Sequence, residues 1–147
     1  MPPGTGDVGL SLGQLMPRAE ALVVTTPQPA AQRVAERAAA MVAKVGQTLV
    51  GVVENMSGYA CPCCGEHTAP FGEGGGLRLA TQLGVPLLGE VPLEPALREG
   101  SDDGNPLMLS APASPAGLAI AGIAERLDAM RPAGPVRVAS PLAIIQS

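Results

Sequence analysis

Three short, predominantly apolar runs alternate with longer stretches in which apolar residues recur every three or four positions. Ala21–Thr25 (ALVVT), Leu49–Val53 (LVGVV) and Leu87–Val91 (LLGEV) read as buried strands. Between the first two, Ala31, Val34, Ala38, Met41 and Val45 form an apolar stripe, with Arg33, Glu36, Arg37 and Lys44 opposite. This predicts an amphipathic helix over 29–45, started by Thr26-Pro27. A short helix through Leu79 and Leu83 closes at Gly84, and Pro95 starts a brief one ending near Gly100. Ser114-Pro115 caps the last helix, which turns Ile120, Ile123, Leu127 and Met130 inward. Val8 to Met16, stopped by Pro17, reads as a further short helix with Leu12, Leu15 and Met16 on its apolar side.

Short apolar strands separated by helices indicate an α/β fold, a doubly wound and mostly parallel sheet covered on both faces. Three strands are few for that architecture. The chain opens in a turn-rich segment, Pro2-Pro3-Gly4-Thr5-Gly6-Asp7, and its 147 residues contain no glycine loop ending in Gly-Lys-Ser or Gly-Lys-Thr. The N-terminal strands and the phosphate loop of such a sheet are thus expected to be missing. The glycines of Phe71–Gly76 (FGEGGG) lack a lysine and read as a flexible hinge. Residues 1–131 form the domain. Residues 132–147, with Pro132, Gly134, Pro135 and Pro141, read as a flexible tail in which Val136–Val138 could add a small edge strand.

Composition narrows the function. Thirteen acidic and nine basic residues without a basic run disfavour a nucleic-acid partner. No apolar run approaches the ~20 residues that cross a bilayer, and no export signal opens the chain. The cysteines therefore read as reduced thiols in a cytoplasm. With one Tyr, one Phe and no Trp, the core must come from Ala, Val, Leu, Ile and Met, which suits closely packed helices on a sheet.

All three cysteines fall in one turn, Cys61-Pro62-Cys63-Cys64-Gly65. Cys61 and Cys64 have the spacing of a metal-binding knuckle, in which two sulfurs point at one ion or cluster. Sulfur sites usually want four ligands, so two copies meeting on a two-fold axis would complete the set. The alternatives are buried thiols or a redox pair, but Gly65 and Pro70 favour an extended knuckle over the helix start that a redox pair prefers. Zinc and an iron–sulfur cluster both suit such ligands. Cys63 reads as a passenger pointing away from its neighbours, and His67 as a loop residue near the site. Asn55 ends a strand where open α/β sheets place ligands, and its amide can either read a base edge or cap the strand-end turn. Asp7 can serve either a phosphate or the helix after it.

Met1–Asp7 (MPPGTGD), Thr25–Gln28 (TTPQ), Gly51–Ser57 (GVVENMS), Cys61–Gly65 (CPCCG), Phe71–Gly76, Leu88–Pro92 (LGEVP) and Arg98–Gly100 (REG) occur in one order. Together they resemble the Mrp/ApbC family of P-loop ATPases, relatives of MinD that act as iron–sulfur cluster carriers. The resemblance covers roughly residues 1–131. It implies ATP and Mg²⁺ as ligands and a [4Fe–4S] cluster held by Cys61 and Cys64 of two subunits. It implies a switch segment near the γ-phosphate at Pro3, Gly4, Thr5, Gly6 and Asp7. Asn55 maps to the residue that bonds the adenine edge, and Pro92 to the loop flanking the base. Glu94 stands where the family usually has Asp, one methylene longer. Cys63 is also atypical.

The family's Walker A loop lies upstream of the switch, and its Walker B aspartate falls immediately before Met1. The chain therefore resembles the C-terminal half of such a protein. The implied function is an ATP-dependent carrier that holds a cluster at a homodimer seam and passes it to apoproteins, with this chain alone inactive as an ATPase. The alternative is a zinc-binding dimeric interaction module without nucleotide chemistry.

Overall fold

The computed structural model describes residues 18–61 and 63–130, with Ser11, Leu15 and Met16. The switch residues Gly4, Thr5, Gly6 and Asp7, most of the 8–16 segment and the 132–147 tail lie outside the described residues.

Strands β1 (Glu20–Thr25), β2 (Thr48–Asn55) and β5 (Leu87–Val91) form one parallel sheet in the order β1-β2-β5. Helix α1 (Pro29–Lys44) crosses from β1 to β2, and α2 (Gly75–Leu83) leads into β5. Right-handed crossovers that advance in one direction place both helices on the same face. There Val23 and Val52 pack with Ala35, Ala39, Leu79 and Ala80. On the opposite face Val53, Leu88 and Val91 pack with Leu107 of α4 (Leu107–Ser110) and with Ala116 and Ile123 of α5 (Pro115–Met130). Adjacent Val52 and Val53 serve opposite cores because strand side chains alternate. Helix α3 (Pro95–Asp102) sits between β5 and α4 in sequence. These are the two helical layers of a doubly wound sheet.

The strands and main helices match the expected positions within a residue or two, while side-chain phase differs in two places. In α1 the buried residues are Ala35, Ala39 and Val42, whereas Val34 is 49% exposed. A stripe of alanines is as apolar as its neighbour one position away, and the smaller side chains let the helix lie closer to the sheet. In α5 Met130 is 48% exposed, because the last turn runs beyond Leu127, the final residue packed on the core. A two-residue-per-strand hairpin, β3 (Tyr59–Ala60) with β4 (His67–Thr68), stands where the sequence reads as loop.

The last two glycines of the run belong to a helix and not to a hinge. Gly75 and Gly76 are buried in the first turn of α2. A Cβ on Gly75 would stand 2.7 Å from the Pro27 carbonyl oxygen, and one on Gly76 would stand 2.6 Å from Glu54 Cβ. Glycine is needed here for close approach of the helix to the strand ends.

These contacts predict opposite effects for two glycine-to-alanine changes. Gly76→Ala should lower stability by roughly 1–3 kcal/mol through overpacking. Gly122→Ala, in α5 with open space around its missing Cβ, should raise stability by about 0.5–1 kcal/mol through helix propensity. Equilibrium urea unfolding of each variant measures both.

Candidate functional site

Parallel pairing brings the C-terminal ends of β2 and β5 side by side, with Asn55 opposite Val91 in register. The chain then leaves the sheet through Met56, whose φ of 58° is left-handed. Ser57 N–H donates to the Val91 carbonyl (3.1 Å), and Leu93 N–H donates to that of Gly58 (2.6 Å). These bonds sew the segment beyond β2 to the segment beyond β5. Asn55 and Pro92 are both half-buried and stand together at this end, where open α/β sheets place ligands. Asn55 Oδ1 accepts the Met56 N–H (2.9 Å), the turn-capping contact its residue type favours. Its amide NH₂ is not used by that bond.

Glu94 is engaged elsewhere. Its carboxylate accepts the Ala116 N–H (2.9 Å) at the start of α5, where a negative charge suits the helix dipole. The longer side chain reaches a helix 22 positions away in sequence, a contact that no local pattern announces.

Hairpin β3–β4 carries the cysteines at its tip. Cys61 N–H donates to the Glu66 carbonyl (2.9 Å), and Gly65 N–H donates to that of Cys61 (2.8 Å), closing the turn. Gly65 has φ 72°, a left-handed conformation that a residue with a Cβ adopts at a cost. Cys61 is half-buried, Cys63 and Cys64 are exposed, and all three are free thiols. The backbone N–H of Cys64, followed by that of Cys63 and by the Cys64 side chain, holds the Cys61 thiol below its ordinary pKa, against a smaller opposing effect of burial. One correction follows for this turn. His67, exposed on β4 opposite Ala60, is part of a strand rather than a loop. Among the described residues, no three His, Cys, Asp or Glu side chains converge as a metal-holding group.

One residue of this region was hidden in the sequence. Glu54 is 1% exposed, and its carboxylate accepts the Gly76 N–H at the start of α2. Its other oxygen, Oε1, is buried and has no hydrogen-bond partner among the described residues. A carboxylate inside an apolar strand was the available signal, masked by its position next to the strand end.

Among the described residues no helix is long and apolar enough to cross a membrane. Residues 1–128 match the family model described as NUBPL iron-transfer P-loop NTPase. The chain is 51% identical over 137 residues to an iron-sulfur cluster carrier protein of Mycobacterium bovis, covering 89% of this chain and 36% of that protein. It is 46% identical over 114 residues to the iron-sulfur protein required for NADH dehydrogenase, mitochondrial, of Arabidopsis thaliana, covering 78% of this chain and 36% of that one. The chain therefore spans about a third of the length of these relatives. Among solved structures it resembles the nucleotide-binding protein in complex with ADP from Archaeoglobus fulgidus, with 38% identity, TM-score 0.61, and coverage of 71% of this chain and 43% of that one. It also resembles the cell division ATPase MinD of Pyrococcus furiosus, with 25% identity, TM-score 0.61, and coverage of 76% and 43%. With a doubly wound parallel sheet, a cysteine hairpin beyond the C-terminal end of its central strand and a family match across residues 1–128, the chain belongs to the iron-transfer P-loop NTPases of the MinD-like class.

Proposed function

We propose that this chain is the cluster-holding, C-terminal portion of an ATP-dependent iron–sulfur carrier, and that Cys61 and Cys64 of two copies together hold a [4Fe–4S] cluster as cargo. The observation that carries this reading is the turn at the hairpin tip, which presents two thiols of one chain beside the ligand end of the sheet. Thiolates bind iron and thiols do not, so the N–H groups aimed at Cys61 favour its ligating form. Exposure of Cys64 suits a ligand set that must release its cargo to an acceptor apoprotein. A cluster needs four protein thiolates and one copy offers two, so a homodimer supplies the rest. Asn55 and Pro92 are proposed to flank the adenine of ATP. Hydrolysis additionally requires phosphate and Mg²⁺ ligands of the P-loop type, with Gly4, Thr5, Gly6 and Asp7 as the switch facing the γ-phosphate. Glu94 is proposed to act on the nucleotide end indirectly, by fixing α5 against the loop after Pro92.

Cysteine replacement tests the ligand assignment. After anaerobic reconstitution, Cys61→Ala and Cys64→Ala should each lose cluster iron, whereas Cys63→Ala should largely retain it. Retained iron in Cys64→Ala together with loss in Cys63→Ala would identify a different pair.

The lowered Cys61 thiol sets a sign for pH dependence. Its thiolate forms at lower pH in the folded chain than in the unfolded one. The pH midpoint of Cys61 alkylation by iodoacetamide, read by peptide mass spectrometry on reduced, cluster-free protein, should therefore fall on folding. Equal midpoints with and without urea would contradict the turn geometry.

For nucleotide chemistry, purified 1–147 should show no ATP turnover, and supplying a P-loop half, fused or separate, should restore it. Turnover by 1–147 alone that disappears in Asn55→Ala would overturn that division of labour.

A further inference from the structure

We propose that Glu54 is a positioning residue, a buried latch that transmits movement of the strand end at Asn55 to the cysteine hairpin. The proposal rests on the carrier function above and adds to it the part that joins the two sites.

The chain leaves β2 after Asn55 and returns to the body of the fold at Gly75, and the excursion between them carries Cys61, Cys63 and Cys64. Its outgoing limb is held to the end of β5 by the backbone bonds of Ser57 and Gly58. Its returning limb is held to β2 by the Glu54 carboxylate on Gly76 N–H, the one side-chain hydrogen bond that joins them among the described residues. Asn55 and Glu54 are consecutive in one strand, so a shift of the strand end that moves one moves the other. The contact has no slack. A Cβ on Gly76 would stand 2.6 Å from Glu54 Cβ and 3.2 Å from its Oε2, so the first turn of α2 lies directly on this side chain.

Stability alone does not account for this residue. A buried carboxylate with one oxygen lacking a donor is costly, and an apolar side chain of similar volume would fill the same space without that cost. What the carboxylate adds is a charge-assisted bond to a helix-start N–H, stronger and more directional than a packing contact. That is the property a mechanical link between two sites needs.

The test uses the full 147-residue chain. Glu54→Met removes the acceptor while keeping side-chain length, and Glu54→Gln keeps an acceptor without the charge. Two readouts are taken: amide hydrogen exchange at Cys61 and Gly65 against Val52 in cluster-free protein, and the rate of iron loss to a chelator after reconstitution. Glu54→Met should speed exchange at Cys61 and Gly65 by about tenfold, as expected for loss of a hydrogen bond to a charged group, with Val52 unchanged and iron loss faster in parallel. Glu54→Gln should fall between, roughly threefold, since a neutral bond is weaker than a charge-assisted one. Wild-type exchange at Cys61 and Gly65 in Glu54→Met would overturn the latch, as would equal acceleration at Val52, which marks a merely structural role. If Glu54→Met does not fold, Glu54→Gln decides by the same comparison. If the wild-type chain takes up no iron, the carrier reading fails while the exchange measurement still judges the latch.

Discussion

Parallel pairing forces β1, β2 and β5 to end on the same side of the sheet, and everything proposed as functional follows from that constraint. Strands that end together leave their connecting loops together. Asn55, Pro92 and the root of the cysteine hairpin are neighbours for this reason, although 37 positions separate Asn55 from Pro92. β2 is the central strand, flanked by β1 and β5, and is buried from Gly51 to Glu54. It is therefore the element whose end is best fixed, and the hairpin grows from that end.

The hairpin itself is small. Two residue pairs and the Cys61 bonds to Glu66 and Gly65 define it, so its own hydrogen bonds are few. Rigidity at its root comes instead from Ser57 and Gly58 on the β5 side and from Glu54 on the α2 side. A tightly held root with an exposed tip presents the thiols at a surface without fully burying them. The Cys61 and Gly65 N–H groups close the turn, and those of Cys64 and Cys63 within it favour the Cys61 thiolate.

Much of this was legible in the sequence, and the losses have specific physical causes. Apolar runs gave the strands, and Gly84 and Ser114-Pro115 gave helix limits, whereas the residue before α1 is Gln28, without a side-chain cap bond, and not Thr26. The phase of α1 is not legible in the sequence because alanine is apolar on either of two adjacent stripes, and only packing against Val23 and Val52 selects Ala35 and Ala39. The glycines at 75 and 76 looked like a hinge because a sequence does not distinguish glycine used for freedom from glycine used for close approach. The cysteine turn was plain from spacing. The contacts of Glu54 with Gly76 and of Glu94 with Ala116 were not, since each joins residues 22 positions apart with no repeating pattern between them.

The central claim is that two copies of this chain share one cluster between their hairpins. Native mass spectrometry of the anaerobically reconstituted chain tests it directly. The account predicts a species with the mass of two chains plus four iron and four sulfide, as a [4Fe–4S] cluster requires. A single chain retaining iron, or a pair of chains holding one zinc in place of the cluster, would contradict it.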